Sequence, residues 1–563
     1  MAKKDYSNLT KDQLLEVIEK LEGKKKYGLV WDEERVPEKV VTDCQDKLPV
    51  LTEVKDKEIT TDENEPTHIL IEGDNYHALS VLNYTHKGKV DLIYIDPPYN
   101  TGNKDFTYND KYVEKEDTWR HSKWLTFMSK RLELAKELLT EKGVIFISID
   151  DNEIAQLKLL CDGIFGEGNF AGQWHWFKSA TPPNLSHKIK KNIEFVLAYE
   201  KQKNNSKFRG IKKISKSDDP ITKPQNSMKI LTFPPKSMNI KLPNKTVQPG
   251  IYGTEKYPNK LINELIVENG TNKNEVSFEN RFVWTQNKLN EELESKTVIN
   301  CSKALVISYK KLNYSEEVPP NLIDESVGVD TTEEAGKRLF EMFGEKVFDY
   351  PKPVSLIKYL LNFKPELKEK SLILDFFAGT GTTAQAVLEL NNEDNGNRKF
   401  IVCTNNENSI CEKVTLPRIK KIIKGYKISA ENEYEGLGNN LKYFQTSFVA
   451  NNRNKDQLKI DITKQCTEML CLKEGIFNLI KEEADYKIFQ QSNRYLAVYY
   501  DFANASLDEL KDVMNTLKGE KVLYCFTVDT NGLDKANFSD WKNIRLEPIP
   551  QKILDVYKRI FKN

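Results

Sequence analysis

Apolar and polar positions alternate along this chain in two registers. Short continuous apolar runs lie at His68-Ile69-Leu70-Ile71, at 90–95, at 144–149 and at 194–199. Between them the apolar residues recur at helical spacing. One such helix follows over about 75–86, and another over 122–141 carries Trp124, Leu125, Met128, Leu132, Ala135 and Leu139. Continuous apolar strands alternating with helices predict an α/β body with a parallel sheet covered on both faces. The pattern lapses over 201–345, which is rich in Lys, Asn, Ser and Pro, with scattered strand signals at 281–284 and 304–309. This segment reads as a separate, irregular domain inserted into the body. The α/β pattern returns with a helix at 354–361, a strand at 372–376, a helix at 382–390 and a strand at 399–403. One sheet is therefore expected from 66–200 together with 346–445. The tail, 446–563, reads as a small α/β module: strands at 495–500 and 522–527, a helix capped by Ser506-Leu507-Asp508-Glu509 between them, and a last helix over 551–561. At the other end, 1–65 reads as an accessory region. Thr10-Lys11-Asp12-Gln13 has the form of a capping box, Leu14, Ile18 and Leu21 share one helical face, and Gly23 ends the helix.

Size and composition narrow the class. A chain of 563 residues implies two to four domains. No run approaches the roughly 18 apolar residues of a membrane span, and Met1-Ala2-Lys3-Lys4-Asp5 lacks the apolar stretch of a signal peptide. A cytoplasmic protein is expected. The eight cysteines are scattered, and all six histidines precede residue 190, so no metal site is expected. Net charge is zero, yet residues 201–260 hold 14 Lys and Arg against 3 acids, net +11, leaving net −11 elsewhere. That asymmetry suits a local phosphate-binding surface, with Lys212, Lys213, Lys216 and Lys223 as reasonable contacts. On charge alone, a solvated lysine-rich loop region is the simpler reading.

Two motifs bring chemistry into view. Asp96-Pro97-Pro98-Tyr99 closes the apolar run 90–95. The exocyclic amine of adenine is a poor nucleophile because its lone pair is delocalised into the ring. Two hydrogen-bond acceptors can draw its N–H bonds out of plane and free the lone pair. Asp96 supplies one such acceptor, and the Pro97 carbonyl another. Tyr99 suits stacking on a base lifted out of a duplex. Most of the catalysis is then positioning and electrostatics. The competing reading is a rigid turn after a buried strand. The second motif, Asp375-Phe376-Phe377-Ala378-Gly379-Thr380-Gly381-Thr382, lies between a strand and a helix. Gly379 and Gly381 permit close backbone approach, and Glu407 near the end of the next strand can bind ribose hydroxyls. A simple tight turn explains the glycines equally well. A phosphate-binding loop of the Gly-x-x-x-x-Gly-Lys type is missing, which disfavours NTP hydrolysis. Asp150 and Asp151 end a strand and read as a helix cap rather than a catalytic pair.

At these residues the chain resembles the amino-group DNA methyltransferases that use S-adenosylmethionine. The order of catalytic motif, middle domain and cofactor loop is that of the β class. More closely the chain resembles the modification subunit of a type III restriction–modification system, through 70–75, 93–102, 148–153 and 349–354. The resemblance implies a Rossmann-like class I methyltransferase sheet with permuted motif order, a target-recognition domain at 201–345 and a methyltransferase domain split into 66–200 and 346–445. Asp96, Pro97, Pro98 and Tyr99 match the catalytic motif. Asp375, Phe377, Gly379 and Gly381 match the loop around the methionine end of the cofactor, with Phe376 in place of a common proline and Thr380 of a common serine. Glu407 matches the ribose acid, with a register open by a residue or two. Lys352 and Pro353 match the segment that closes the methionine pocket. Asp74 matches a contact to the cofactor's adenine, and a helix N-cap fits it nearly as well. Family members act on double-stranded DNA, form homodimers and recruit a helicase–nuclease restriction subunit, for which the tail is the candidate dock. The expected reaction is adenine-N6 methylation. Cytosine-N4 methylation, whose motif more often begins with Ser, a non-catalytic DNA-recognition subunit and an RNA substrate are the alternatives.

Overall fold

Parallel strands make the centre of a ten-stranded sheet. The computed structural model describes residues 37–561 apart from 63–64, 104, 182–187, 204–206, 211–217, 256, 312–316, 429–432, 452–453, 501–506, 528–532 and 534–537, and also residues 10–11, 13–15 and 29–31. In chain order the sheet strands are β1 (Lys47–Glu53), β2 (Thr67–Glu72), β3 (Val90–Ile95), β4 (Leu139–Ile149), β5 (Phe170–Phe177), β6 (Ile193–Glu200), β7 (Leu322–Ile323), β8 (Leu372–Asp375), β9 (Lys399–Thr404) and β10 (Asn440–Ala450). Their spatial order is β1-β10-β2-β9-β8-β3-β4-β6-β5-β7. From β10 to β4 every neighbour is parallel, while β1 and β6 run against their neighbours.

Five helices flank the strands that matter most: α1 (Asn75–Thr85), α2 (Arg120–Leu138), α3 (Val354–Leu361), α4 (Thr382–Asp394) and α5 (Leu416–Lys424). Helix α1 is buried from Tyr76 to Thr85, because α2 and the terminal helix Gln551–Phe561 both pack on it. Helices α3 and α5 both pack on α4. From β3 the chain passes through α2 to β4 on one side, and from β8 through α4 to β9 on the other. The sheet thus reverses its winding between β8 and β3, whose register pairs Ile373 with Leu92 and Leu374 with Ile93. In open α/β sheets, ligands bind at such a switch point, beyond the carboxyl ends of the strands. The motifs that follow β3 and β8 both emerge there.

Several elements differ from expectation. Residues 47–53, in the expected accessory region, form an edge strand on β10. Strand β10 runs on to Ala450, so the expected boundary at 445 falls inside a strand. The tail carries a five-stranded sheet, yet Ile462, Met469, Val498, Tyr524, Ile549 and Tyr557 join the same core as β2, β3 and β4. Thr10 and Gln13 exchange the two hydrogen bonds of a capping box; Ile18, Leu21, Gly23 and Ser506 lie outside the described residues.

The chain divides into two compact units, one of residues 1–206 with 320–563 and one of Lys207–Pro319. The second is smaller than the expected 201–345, because β7 and helix Thr332–Phe343 belong to the first. It is also regular rather than irregular. It holds a four-stranded and a seven-stranded sheet around its own core, which includes Leu231, Phe233, Phe278, Phe282 and Leu289. The expected strand at 281–284 reduces to one bridge at Phe282. The Gly210 N–H donates to the Glu317 carbonyl at 2.7 Å, so the chain enters and leaves the unit side by side.

Candidate active site

The carboxyl end of β3 delivers Asp96 into a small network of charges. The Lys352 ammonium donates to Asp96 Oδ2 at 2.8 Å and lies 3.3 Å from Glu194 Oε2. The Tyr99 hydroxyl sits 2.8 Å from Asp96 Oδ1 and 3.0 Å from Glu194 Oε2. Lys178, just past β5, donates to Glu194 Oε1 at 2.9 Å. Glu194 reaches this edge because β6 runs antiparallel to β4, so its amino end lies beside the carboxyl ends of the parallel strands. Burial alone would lower the Lys352 ammonium; Asp96 and Glu194 carry it instead up to about 12. Burial pushes Glu194 up, but Lys352 and Lys178 outweigh that and hold it below the usual glutamate range. Burial, then Asp96 and Glu194, raise Tyr99 well above an ordinary phenol, so it keeps its proton. The Tyr99 ring lies under the Lys352 ammonium, 5.0 Å from its centroid.

The turn itself is rigid. The Trp124 indole N–H donates to the Pro98 carbonyl at 2.7 Å. Asn100 takes a left-handed conformation, φ 56°, and donates to Glu153 Oε1 at 2.6 Å. Among the described residues the Pro97 carbonyl accepts no hydrogen bond. Asp150 accepts from the Asn152 N–H at 2.9 Å, and Asp151 pairs with Lys191 at the surface.

The loop after β8 lies alongside. Asp375 is buried, accepts from the Phe377 N–H at 2.9 Å and from Thr383 Oγ1, and burial raises its carboxyl to about 7. Gly379 and Gly381 both have positive φ, 49° and 82°. A Cβ on Gly379 would meet only the Phe377 carbonyl, at 3.9 Å, whereas one on Gly381 would press on Thr415 Cγ2 at 3.2 Å. Gly379 therefore leaves open space above the backbone, and Gly381 lets helix α5 approach. Arg418 of α5 pins the loop by donating to Thr380 Oγ1 and Thr382 Oγ1, at 2.8 and 3.0 Å. Thr382 in turn donates to the Lys352 carbonyl at 3.4 Å, so the residue that grips Asp96 is tied to the glycine loop. Pro353, beside Lys352, caps α3.

Asn75 at the head of α1 donates to the Phe376 carbonyl at 2.9 Å, which brings the end of β2 to the same loop. Asp74 caps α1 through the Tyr76 N–H at 2.7 Å and lies 3.4 Å from Arg131. The Phe377 ring faces Phe127 of α2. Glu407 stands exposed in a short turn three residues past β9, where Asn405 donates to it at 3.5 Å. Glu194, Lys178, Arg418, Asn75 and Phe127 escape a reading of the sequence. The one available signal is an acid opening the apolar run 194–199, an odd place for a charge in a buried strand.

The family model for N6/N4 DNA methylases matches residues 90–416, a span that begins at β3 and ends at the head of α5. The chain belongs to this family. Among its relatives, the Mod subunit of the type III restriction–modification enzyme EcoPI, from Escherichia phage P1, is 31% identical over 75% of this chain and 72% of its own length. The StyLTI Mod subunit of Salmonella typhimurium is 32% identical over 61% of this chain, and the match spans about half, 53%, of that protein. The EcoP15I Mod subunit of Escherichia coli is 29% identical over 69% of this chain and 66% of its own length. Among solved structures, the cytosine-N4-specific PvuII DNA methyltransferase aligns at 10% identity with a TM-score of 0.33, over 65% of this chain and 94% of that one. Among the described residues no helix of this N6/N4 DNA methylase is long and apolar enough to cross a membrane.

Proposed function

We propose that this chain transfers a methyl group from S-adenosylmethionine to the N6 amine of adenine in double-stranded DNA, as the modification subunit of a type III restriction–modification system. The observation that carries the reading is the junction of its two motifs. Asp96 is held by Lys352, whose carbonyl is bonded to the first residue after Gly381. An amine acceptor and a backbone cradle thus share one end of one sheet.

The residues present fit the cofactor. Gly379 offers a cradle that a Cβ would fill, Phe377 with Phe127 offers an apolar wall, and Asp74 and Glu407 offer carboxylates on the same edge for the adenosine end. The bound cofactor supplies an electrophilic methyl on a sulfonium. The rest is done by this chain. Asp96 and the Pro97 carbonyl accept from the two N–H bonds of the target amine and turn its lone pair out of the ring. Lys352 fixes the Asp96 carboxylate, and Trp124 fixes the turn, so the acceptors need little reorganisation.

An initial Asp rather than Ser supports adenine over cytosine-N4. The permuted order, Asp96 before Asp375, supports the β class, and the Mod subunits among its relatives support the type III assignment. Residues Lys207–Pro319 then read the target, with Lys223 as a proposed phosphate contact at the surface, while Lys212, Lys213 and Lys216 lie outside the described residues. A second copy and a helicase–nuclease subunit are the proposed protein partners, and the cytoplasm the proposed location. The test is incubation of the chain with unmethylated DNA and methyl-labelled cofactor, followed by nucleoside analysis. Label in N6-methyladenine is expected, and its loss with Asp96→Ala. Label in N4-methylcytosine would overturn the base assignment, and full label with Asp96→Ala would overturn the mechanism.

A further inference from the structure

We infer that Glu194 and Tyr99 form a proton relay that drains the target amine through Asp96. The inference rests on the methyl-transfer reading above. Its starting point is a count of hydrogens. The Tyr99 oxygen lies within hydrogen-bond distance of two carboxylates, Asp96 at 2.8 Å and Glu194 at 3.0 Å, and a phenol has one hydrogen to give. With Tyr99 neutral and both carboxylates bare, one of the two contacts opposes lone pair to lone pair. A single added proton turns both contacts into hydrogen bonds. The resting network is therefore built one proton short.

Methyl transfer supplies that proton. The N6 lone pair forms the new N–C bond, the C–S bond breaks, and its electron pair stays on sulfur. The nitrogen is left cationic with one hydrogen too many, and an alkylated exocyclic ammonium is a far stronger acid than any carboxylic acid. The N–H bond then breaks, its electrons neutralise the nitrogen, and the proton moves to the Asp96 carboxylate. Asp96 passes a proton to the Tyr99 oxygen while Tyr99 gives its own to Glu194. The net change is one proton from N6 to Glu194, with Asp96 restored.

The surroundings suit this role. The charged and titratable groups that face Glu194 are Lys178 after β5, Lys352 before α3, Tyr94 within β3, Asp96 and Tyr99 after it, and Asp150 after β4. The two lysines keep Glu194 an empty acceptor at neutral pH. Asp96 accepts the amine's proton and is catalytic; in the relay Tyr99, whose ring is also the proposed base-stacking platform, and Glu194 act through it.

The experiment uses the full-length chain with PCR-amplified genomic DNA, which carries no methylation, and measures single-turnover methyl transfer from pH 5 to 9 beside DNA affinity. Wild type is expected to label DNA at a rate that is flat above the depressed Glu194 titration. Glu194→Gln is expected to lose about 100-fold in rate, to keep DNA affinity within about threefold (roughly 0.7 kcal/mol), and to regain rate as pH rises and hydroxide replaces the missing acceptor. Tyr99→Phe leaves every charge in place and is expected to show the same pH signature, which keeps the test decisive should Glu194→Gln fail to fold. Both variants labelling DNA at the wild-type rate with the wild-type pH profile would overturn the relay and leave methyl transfer standing. A wild-type chain that leaves this DNA unlabelled would overturn the methyl-transfer reading and the relay with it.

Discussion

Asp375 shows how one buried carboxyl sets a pH dependence. Its folded value is raised to about 7 from an ordinary 3.8. The folded state therefore holds a proton that the unfolded chain has released, and stability from this group is full at low pH and lost as pH climbs from about 4 through 7. Relative to Asp375→Asn, wild type should lose stability across that window and run parallel above it, as denaturant melts at pH 5, 6 and 8 would show; parallel curves throughout would remove Asp375 as the cause. At this scale the sequence was informative where residues come in a block. Asp96 and the glycine loop announce themselves because several specific residues adjoin. Glu194, Lys178 and Arg418 are single charges in ordinary surroundings. They gain a role only when sheet order brings the start of β6 and the face of α5 to the same edge.

Between elements, two glycines and one ion pair carry separable effects. Gly379→Ala should cost about 1 kcal/mol of stability from its positive φ alone and weaken cofactor binding by about tenfold, since its Cβ fills open space where the cradle lies. Gly381→Ala should cost more stability, about 2 kcal/mol, because pressure on Thr415 adds to the same strain in φ, and should leave cofactor binding less affected. Calorimetric titration and thermal melts of the two variants separate these effects, and equal behaviour would sink the division of roles. Arg131 of α2 is fully buried and makes a two-armed pair with Glu38 at 3.0 and 2.8 Å while lying over the Phe127 ring. Arg131→Met leaves the Glu38 carboxylate buried alone and should cost about 3–5 kcal/mol by chemical denaturation, most of it restored by adding Glu38→Leu. Helices and central strands were readable because a period of 3.6 and unbroken apolar runs are strong signals. Strand β1 was not, because Pro49 within it argues against a ladder. As an edge strand on β10, it tolerates the missing N–H. Strand β5 mixes Gly172, Gln173 and His175 among aromatics and shows neither period.

For the whole molecule, discontinuity is the governing fact. The sheet is assembled from segments on both sides of Lys207–Pro319, which the lapse and return of the α/β pattern revealed. The sheets inside that unit stayed hidden, because its strands are mostly two to five residues long and rich in Asn and Lys, too short to show alternation. With a core of its own, the unit should be dispensable for folding of the rest. Replacing 207–319 by a short Gly-Ser linker should leave the remaining chain with a cooperative melt while abolishing sequence-directed methylation. Loss of the melt would show the two cores to be interdependent.

The bond between Gly210 and Glu317 has a consequence beyond folding. Where an inserted unit begins and ends at nearly the same point, it can be unplugged as a cartridge and another seated in its socket with two splices. On the target-reading role proposed for 207–319, a lineage that trades such cartridges would change the address its enzyme reads while the bond-making edge stays as it was. Exchanging 207–319 for the corresponding stretch of a Mod subunit should carry that relative's target site with it, readable by mapping methylated adenines in the host.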